Sequence, residues 1–149
     1  MKKIIFLTIA ISVTAFLQAQ QPFSIKQLEI QQTVVKMFQA LSNRDSITLK
    51  SYCSPDITLY EYGQIWNIDT LIRKGITMNQ SVDFKRTNTF DFIDIETYKT
   101  IAWVTYRLSS VITKDAKETA IQWLETVVLA RQKKRWKVKH LHSTLINRS

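Results

Sequence analysis

Near Asp56 the spacing of apolar residues changes from three-and-four to two, and that change of period decides which folds are open to the chain. Before it, Ile30, Val34, Met37, Phe38 and Leu41 recur at helical spacing and draw one stripe for burial. After it, Ile57, Leu59 and Glu61 point one way and Thr58, Tyr60 and Tyr62 the other, because successive side chains of a strand alternate between its faces. Gly63 then marks a turn before a short strand at 64–68. Three longer β-rich segments follow at about 85–96, 100–113 and 118–132, and a closing strand at about 136–146; their turns fall at about 97–99, 114–117 and 133–135.

Local signals place the helices. Ser24 and Gln27 have capping-box spacing and Phe23 and Leu28 hydrophobic-staple spacing, so the first helix begins near Ile25, with Asn43 as its C-terminal cap. Asp45 or Ser46 caps a short second helix through Cys53, stopped by Pro55 because the residue before proline avoids helical angles. Asn67 or Asp69 opens a third helix carrying Leu71, Ile72, Ile76 and Met78. This order predicts an α+β fold: a long N-terminal helix and two shorter ones packed on one face of a curved antiparallel sheet.

The first 19 residues read as a secretory signal peptide. Lys2 and Lys3 precede an apolar stretch from Ile4 to Leu17 and a small residue, Ala19, after which cleavage is expected. The apolar segment is shorter than the roughly 20 residues that span a bilayer, so no membrane span is expected in the mature chain. Cleavage leaves a single domain over 20–149 and lowers the formal charge from +9 to +7. Such a charge suits nucleic acid, anionic surfaces or plain solubility, and export argues against nucleic acid. Cys53 is the only cysteine, which excludes an intrachain disulfide, and is expected to be a small buried hydrophobe.

Several residue groups can carry chemistry. His140 and His142 share a strand face, which the period of two extends to Trp136 and Val138. No third ligand lies near them in sequence and a catalytic zinc usually has three, so no metal or other cofactor is assigned. Trp66, Phe90, Trp103, Tyr106 and Trp123 suit either a flat apolar ligand or core packing. Tyr106, Trp123 and Val128 could equally fill an interface between subunits. Arg107 and Glu125 interrupt apolar strand segments, so each needs solvent, a partner charge or a pocket. If they are neighbours they form an ion pair; if they line a pocket, Arg107 can hold a carboxylate. The cluster Arg131, Lys133, Lys134, Arg135, Lys137 and Lys139 reads as a solvated basic rim.

The element order, with Glu125-Thr126, the basic turn, Trp136, His140 and His142, resembles the nuclear transport factor 2-like superfamily and its SnoaL-like branch. The last strands are similar to those of the calcium/calmodulin-dependent kinase association domain, although Val127 stands where that domain carries an arginine. The resemblance implies a cone-like sheet enclosing an apolar pocket, and a homodimer through the outer sheet face. Set on the ketosteroid isomerase pattern, it puts Glu61 at the basic aspartate and Phe38 at the oxyanion tyrosine, and phenylalanine donates no hydrogen bond. The expected ligand-binding residues are Glu61, Trp66, Trp103, Arg107, Trp123, His140 and His142, for a small apolar or acidic ligand. The expected role is a binding or assembly module. The alternative is a lyase or isomerase of a cyclic carbonyl compound with Glu61 or His142 as general base and a tyrosine or Arg107 at the oxyanion.

Overall fold

The computed structural model describes residues 23–149; the expected signal peptide and its cleavage site lie outside them. The first helix, α1 (Ile25–Ser42), starts where its capping signal stands: the Gln27 amide donates to Ser24 Oγ at 3.3 Å and the Ser24 amide to Gln27 Oε1 at 2.8 Å. Gln27 Nε2 also donates to the Ile95 carbonyl at 2.9 Å, which ties the helix entrance to the sheet. Asn43 ends α1 and Asp45 caps α2 (Ser46–Tyr52) by accepting from the Ile47 and Thr48 amides. Asn67 caps α3 (Ile68–Ile72), which runs into a π-helical turn, Arg73–Thr77.

The strands are β1 (Cys53–Glu61), β2 (Gln64–Trp66), β3 (Lys85–Tyr98), β4 (Ile101–Lys114), β5 (Lys117–Gln132) and β6 (Arg135–Arg148). They form one curved, open sheet in the order β2-β1-β6-β5-β4-β3. The four long strands are an antiparallel meander, but β1 pairs with β6 in parallel, so the sheet is mixed rather than wholly antiparallel. The second helix ends at Tyr52 rather than Cys53, before Ser54, the residue that Pro55 restricts, and β1 already begins at Cys53, which caps α2 as it leaves it. Tight turns join three of the hairpins, with positive φ at both Tyr62 and Gly63, Asp115 and Ala116, and Lys133 and Lys134, the backbone hand that matches strand twist.

The core lies between α1 and the inner face of the sheet. Ile30, Val34, Met37, Phe38 and Leu41 are buried there with Ala102, Val104, Tyr106, Leu108, Trp123, Val127 and Leu129. Burying each large apolar side chain is worth about 1.5–3 kcal/mol, so this layer fixes which faces of β4 and β5 turn inward. Cys53 is buried, and burial pushes its thiol up to about 12, which makes it inert as a nucleophile.

Two β-bulges in β6 determine which residues enter the layer. The pairs Leu129 with Val138 and Val128 with His140 skip Lys139, and the pairs Gln122 with Asn147 and Trp123 with Leu145 skip Ile146. Each extra residue reverses the side-chain parity of the strand. Trp136 and Val138 therefore face inward before the first bulge, and Leu141 and Ser143 after it. His140 and His142 face outward, which corrects the expectation that they share a face with Trp136 and Val138.

Candidate functional site

At one end of the inner layer the helices and sheet leave a cavity of about 230 Å³. Met37, Phe38 and Leu41 of α1, Leu49 of α2 and Leu71 of α3 form its helical wall. Leu59, Ile112, Ile121, Trp123 and Leu141 form the sheet wall, and Trp66, Lys74 and Arg148 also line it. Gly75 leaves room for the Leu41 side chain, since a Cβ would lie 2.6 Å from Leu41 Cδ1 and push it aside. Besides Lys74 and Arg148, three further charged groups converge on the cavity from the sheet: Glu61 from β1, Arg86 from β3 and Glu125 from β5.

Ser143 of β6 joins the two carboxyls. Its Oγ lies 2.7 Å from Glu61 Oε1 and 2.7 Å from Glu125 Oε1. Glu125 is only 2% exposed; its Oε2 and the hydroxyl of Tyr106, its register neighbour on β4, do not meet at full hydrogen-bond geometry, yet they are near enough for the phenol to act on the carboxyl. Burial pushes the Glu125 carboxyl up to about 7; the Tyr106 and Ser143 hydroxyls and the Arg86 charge oppose that rise and the Glu61 charge adds to it. Burial likewise raises Glu61, against the Ser143 hydrogen bond and the charges of Arg86 and His142. Tyr106 is held well above its usual value by burial and by the adjacent Glu125, so its phenol stays protonated.

Arg86 is held by polar and aromatic contacts together. Its Nε donates to Asn88 Oδ1 at 3.0 Å and its Nη2 to Ser110 Oγ at 3.3 Å, while the guanidinium lies over the rings of Phe38 and Trp123 at 5.6 and 5.8 Å. Ser110 in turn donates to Asn88, and Asn88 to Ser42 Oγ, so the network runs from the sheet back to α1. Burial lowers the arginine, Glu125 and Glu61 raise it, and a guanidinium remains charged in such a setting. Phe38, which cannot donate a hydrogen bond, thus seats the one cation that approaches the carboxyls from β3.

Of the residues singled out in the sequence, Glu61, Trp66 and Trp123 line this cavity. Trp103, Arg107, His140 and His142 do not, because they stand on the outer face of the sheet. Trp103 is 41% exposed there. Arg107 pairs with Asp91 across the β3–β4 ladder at 3.3 Å, and since it neighbours Tyr106 in sequence it cannot reach Glu125 on the opposite face. Tyr106 and Trp123 are core residues, not outer-face ones, whereas Val128 lies on the outer side. His140 Nδ1 is 2.8 Å from Thr58 Oγ1, and both histidines pack edgewise on Tyr60, at 4.7 and 5.8 Å between centroids. No group of three or more His, Cys, Asp or Glu suited to a metal ion occurs among the described residues.

Sequence reasoning missed Arg86 and Ser143. The signal for Arg86 was present: it precedes Phe90 by four residues on one strand and so shares its face. Ser143 was hidden by the bulge at Lys139, which moves it inward.

No curated protein matches the chain. Among solved structures it is similar to the hub homology domain of calcium/calmodulin-dependent kinase II from Chlamydomonas reinhardtii, with 18% identity, 80% of this chain and 98% of that one covered, and a TM-score of 0.71. It is also similar to a nuclear transport factor 2-like protein from Cytophaga hutchinsonii, with 16% identity, coverage of 83% and 100%, and a TM-score of 0.69. A third is a ketosteroid isomerase-like protein from Erwinia carotovora atroseptica, with 14% identity, coverage of 84% and 99%, and a TM-score of 0.68. At these identities the likeness is one of fold. The sequence profile of the SnoaL-like domain matches residues 30–147, and with the curved sheet and its helices this identifies the chain as a member of the SnoaL-like family within the nuclear transport factor 2-like fold.

Proposed function

We propose that this domain binds a small, largely apolar molecule in the cavity on its inner sheet face, with one polar group of that molecule meeting Glu61, Arg86 and Glu125. The observation that carries this reading is a concave, apolar-walled space in which a few polar groups converge. At about 230 Å³ it exceeds the roughly 150 Å³ of an engineered apolar cavity that accepts benzene. The leader read at 1–19 adds that binding takes place outside the cytoplasm, after export.

Native mass spectrometry of the mature protein, purified gently from its natural compartment, tests the reading. The expected result is an added small-molecule mass that is lost on denaturation and lost in a Leu41→Trp variant, whose larger side chain fills the cavity. A bound mass that survives this substitution places the ligand elsewhere.

Exposed apolar side chains on the outer face, Ile101, Trp103, Val111 and Leu124, support pairing with a second copy through that face. The hub domain among the structural neighbours is a precedent in fold for an assembly role. Sedimentation of a Trp103→Arg variant tests this: a shift toward monomer is expected, and an unchanged dimer rules out this face.

A catalytic reading is favoured by one observation, the half-buried Glu61 carboxyl with its raised pKa beside a cation. In it Glu61 removes a proton beside a carbonyl and Arg86, in place of the expected tyrosine or Arg107, stabilises the oxyanion. A His142 base would require the substrate to lie on the outer face instead. Turnover that survives Glu61→Gln on any active substrate removes this assignment.

A further inference from the structure

We propose that Glu61, Ser143 and Glu125 share one resident proton, and that this proton makes the cavity selective for an uncharged ligand carrying a carbonyl or hydroxyl group. The inference deepens the reading of the cavity as a ligand site and rests on it for its second half only.

The first half follows from counting hydrogens. Ser143 Oγ is 2.7 Å from an oxygen of each carboxyl, and a hydroxyl has a single hydrogen to donate. If both carboxyls were ionised, one of these contacts would set two lone pairs against each other inside the protein. A proton on one carboxyl resolves the arrangement: the acid donates to Ser143 Oγ and Ser143 donates to the remaining carboxylate. Glu125 is the seat of that proton, because it is buried to 2% exposure where Glu61 is only half-buried, and its other oxygen meets no charge and no donor at full hydrogen-bond geometry. Its upward shift to about 7, with burial as the main cause, agrees.

The groups whose charges and hydrogen bonds act on the two carboxyls fit this count. Arg86 on β3 supplies one positive charge, and Tyr106 on β4 supplies a neutral phenol held well above its usual value. Glu61 on β1 is the second carboxyl, Tyr62 follows it at the turn, and His142 on β6 acts from the outer face. The part of α1 that lines the cavity, Met37, Phe38 and Leu41, brings no titratable group. Around the pair itself, one ionised carboxylate against one guanidinium leaves no net charge; the two further cations that line the cavity are engaged elsewhere, Lys74 over the Trp66 ring and the exposed Arg148 on the Tyr62 hydroxyl.

Selectivity follows from that balance. A neutral ligand enters without moving a proton and can accept a hydrogen bond from the acid or offer one to the carboxylate. Placed against the pair, an anion would have to bring a second proton to it, and a cation would have to expel the resident one, since a buried charge needs a partner. For a ligand that requires the acid form, affinity falls about tenfold for each pH unit above the pair's upper titration step.

Infrared spectroscopy of the ligand-free mature protein tests the first half. At pH 6, where exposed carboxylates are ionised, one carbonyl stretch of a protonated carboxylic acid is expected. It should fade as the pH is raised through about 7, be missing in Glu125→Gln, and fade at lower pH in Glu61→Gln, which removes the negative charge that holds the proton. Absence of the band at pH 6, or its persistence in both variants, overturns the shared proton whatever the cavity binds.

Calorimetric titration with cyclohexanone and with cyclohexanecarboxylate tests the second half. The ketone should bind more tightly at pH 6 than at pH 8, with that dependence abolished in Glu125→Gln, and the carboxylate should bind only with proton uptake. Carboxylate binding that exceeds ketone binding at pH 6, with no proton taken up, overturns the selectivity. Failure of both probes while the band is present counts against the ligand site itself.

Discussion

The inner and outer faces of the sheet are made from alternate residues of the same strands, yet they handle charge in opposite ways. On the inner face Glu125 and Tyr106 sit at or near zero exposure and Arg86 is fixed by Asn88, Ser110 and two aromatic rings. On the outer face Arg107 and Asp91, one residue away in parity, make a solvent-screened pair, as do Lys139 and Asp56. A charge in water has alternatives, whereas a charge against α1 has only the partners that the fold provides. The difference teaches that the residue types present matter less than the parity that assigns them to a face.

The sharpest way to break the comparison is to change parity. Deleting Lys139 removes the bulge that lets Trp136 and Val138, and then Leu141 and Ser143, all face inward. One pair must then turn to solvent, at about 2 kcal/mol or more for each large apolar side chain, and circular dichroism should show loss of cooperative thermal unfolding. A normally folded deletion variant would mean that the bulge does not set the faces.

Removing the inner cation comes next. Arg86→Ala strips the carboxyls of their counter-charge and empties the space over Phe38 and Trp123, and should lower unfolding stability by about 3–5 kcal/mol in a denaturant titration.

The pH dependence of stability separates the faces more finely. Glu125 rises from 4.5 to about 7 on folding, so its contribution is fully present below about 4.5 and is lost as the pH rises through about 7. Denaturant titrations should show roughly 3 kcal/mol less stability at pH 8 than at pH 4.5 from this group, a slope opposite to that of an ordinary paired carboxylate. His140, held below its usual value, works in the other direction at the acid end of this window. Since it is retained in Glu125→Gln, the difference between that variant and the wild type isolates the inner face.

The smallest effect belongs to the outer face: Arg107→Ala should change stability by no more than about 0.5 kcal/mol, because its ion pair is exposed. A loss near that of Arg86→Ala would erase the distinction between the faces.

Much of the fold could be read from the sequence because its signals are local. The Ser24 and Gln27 capping box set the start of α1, and the strand pattern at Ile57, Leu59 and Glu61 set the inner face of β1, on which the likeness to the ketosteroid isomerase pattern singled out Glu61. The same alternation already separated Tyr106 from Arg107, so the choice of Arg107 over Arg86 for a pocket came from overlooking parity rather than from any lack of signal. The bulges at Lys139 and Ile146 are different. The first lies where β6 pairs with both β5 and β1, a long-range demand with no local motif, and it carried His140, His142 and Ser143 to faces that the period of two did not predict. The parallel pairing of β1 with β6 was hidden for the same reason.

The four tryptophans report on different places: Trp66 and Trp123 line the cavity, Trp103 stands on the outer face, and Trp136 is buried with Lys26 and Arg131 over its ring. Following their indole N–H resonances by NMR during titration with cyclohexanone therefore tests most directly whether the inner face is the ligand site. The account predicts saturable shifts at Trp123 and Trp66 with Trp103 and Trp136 unmoved; shifts confined to Trp103, or none at Trp123, would contradict it.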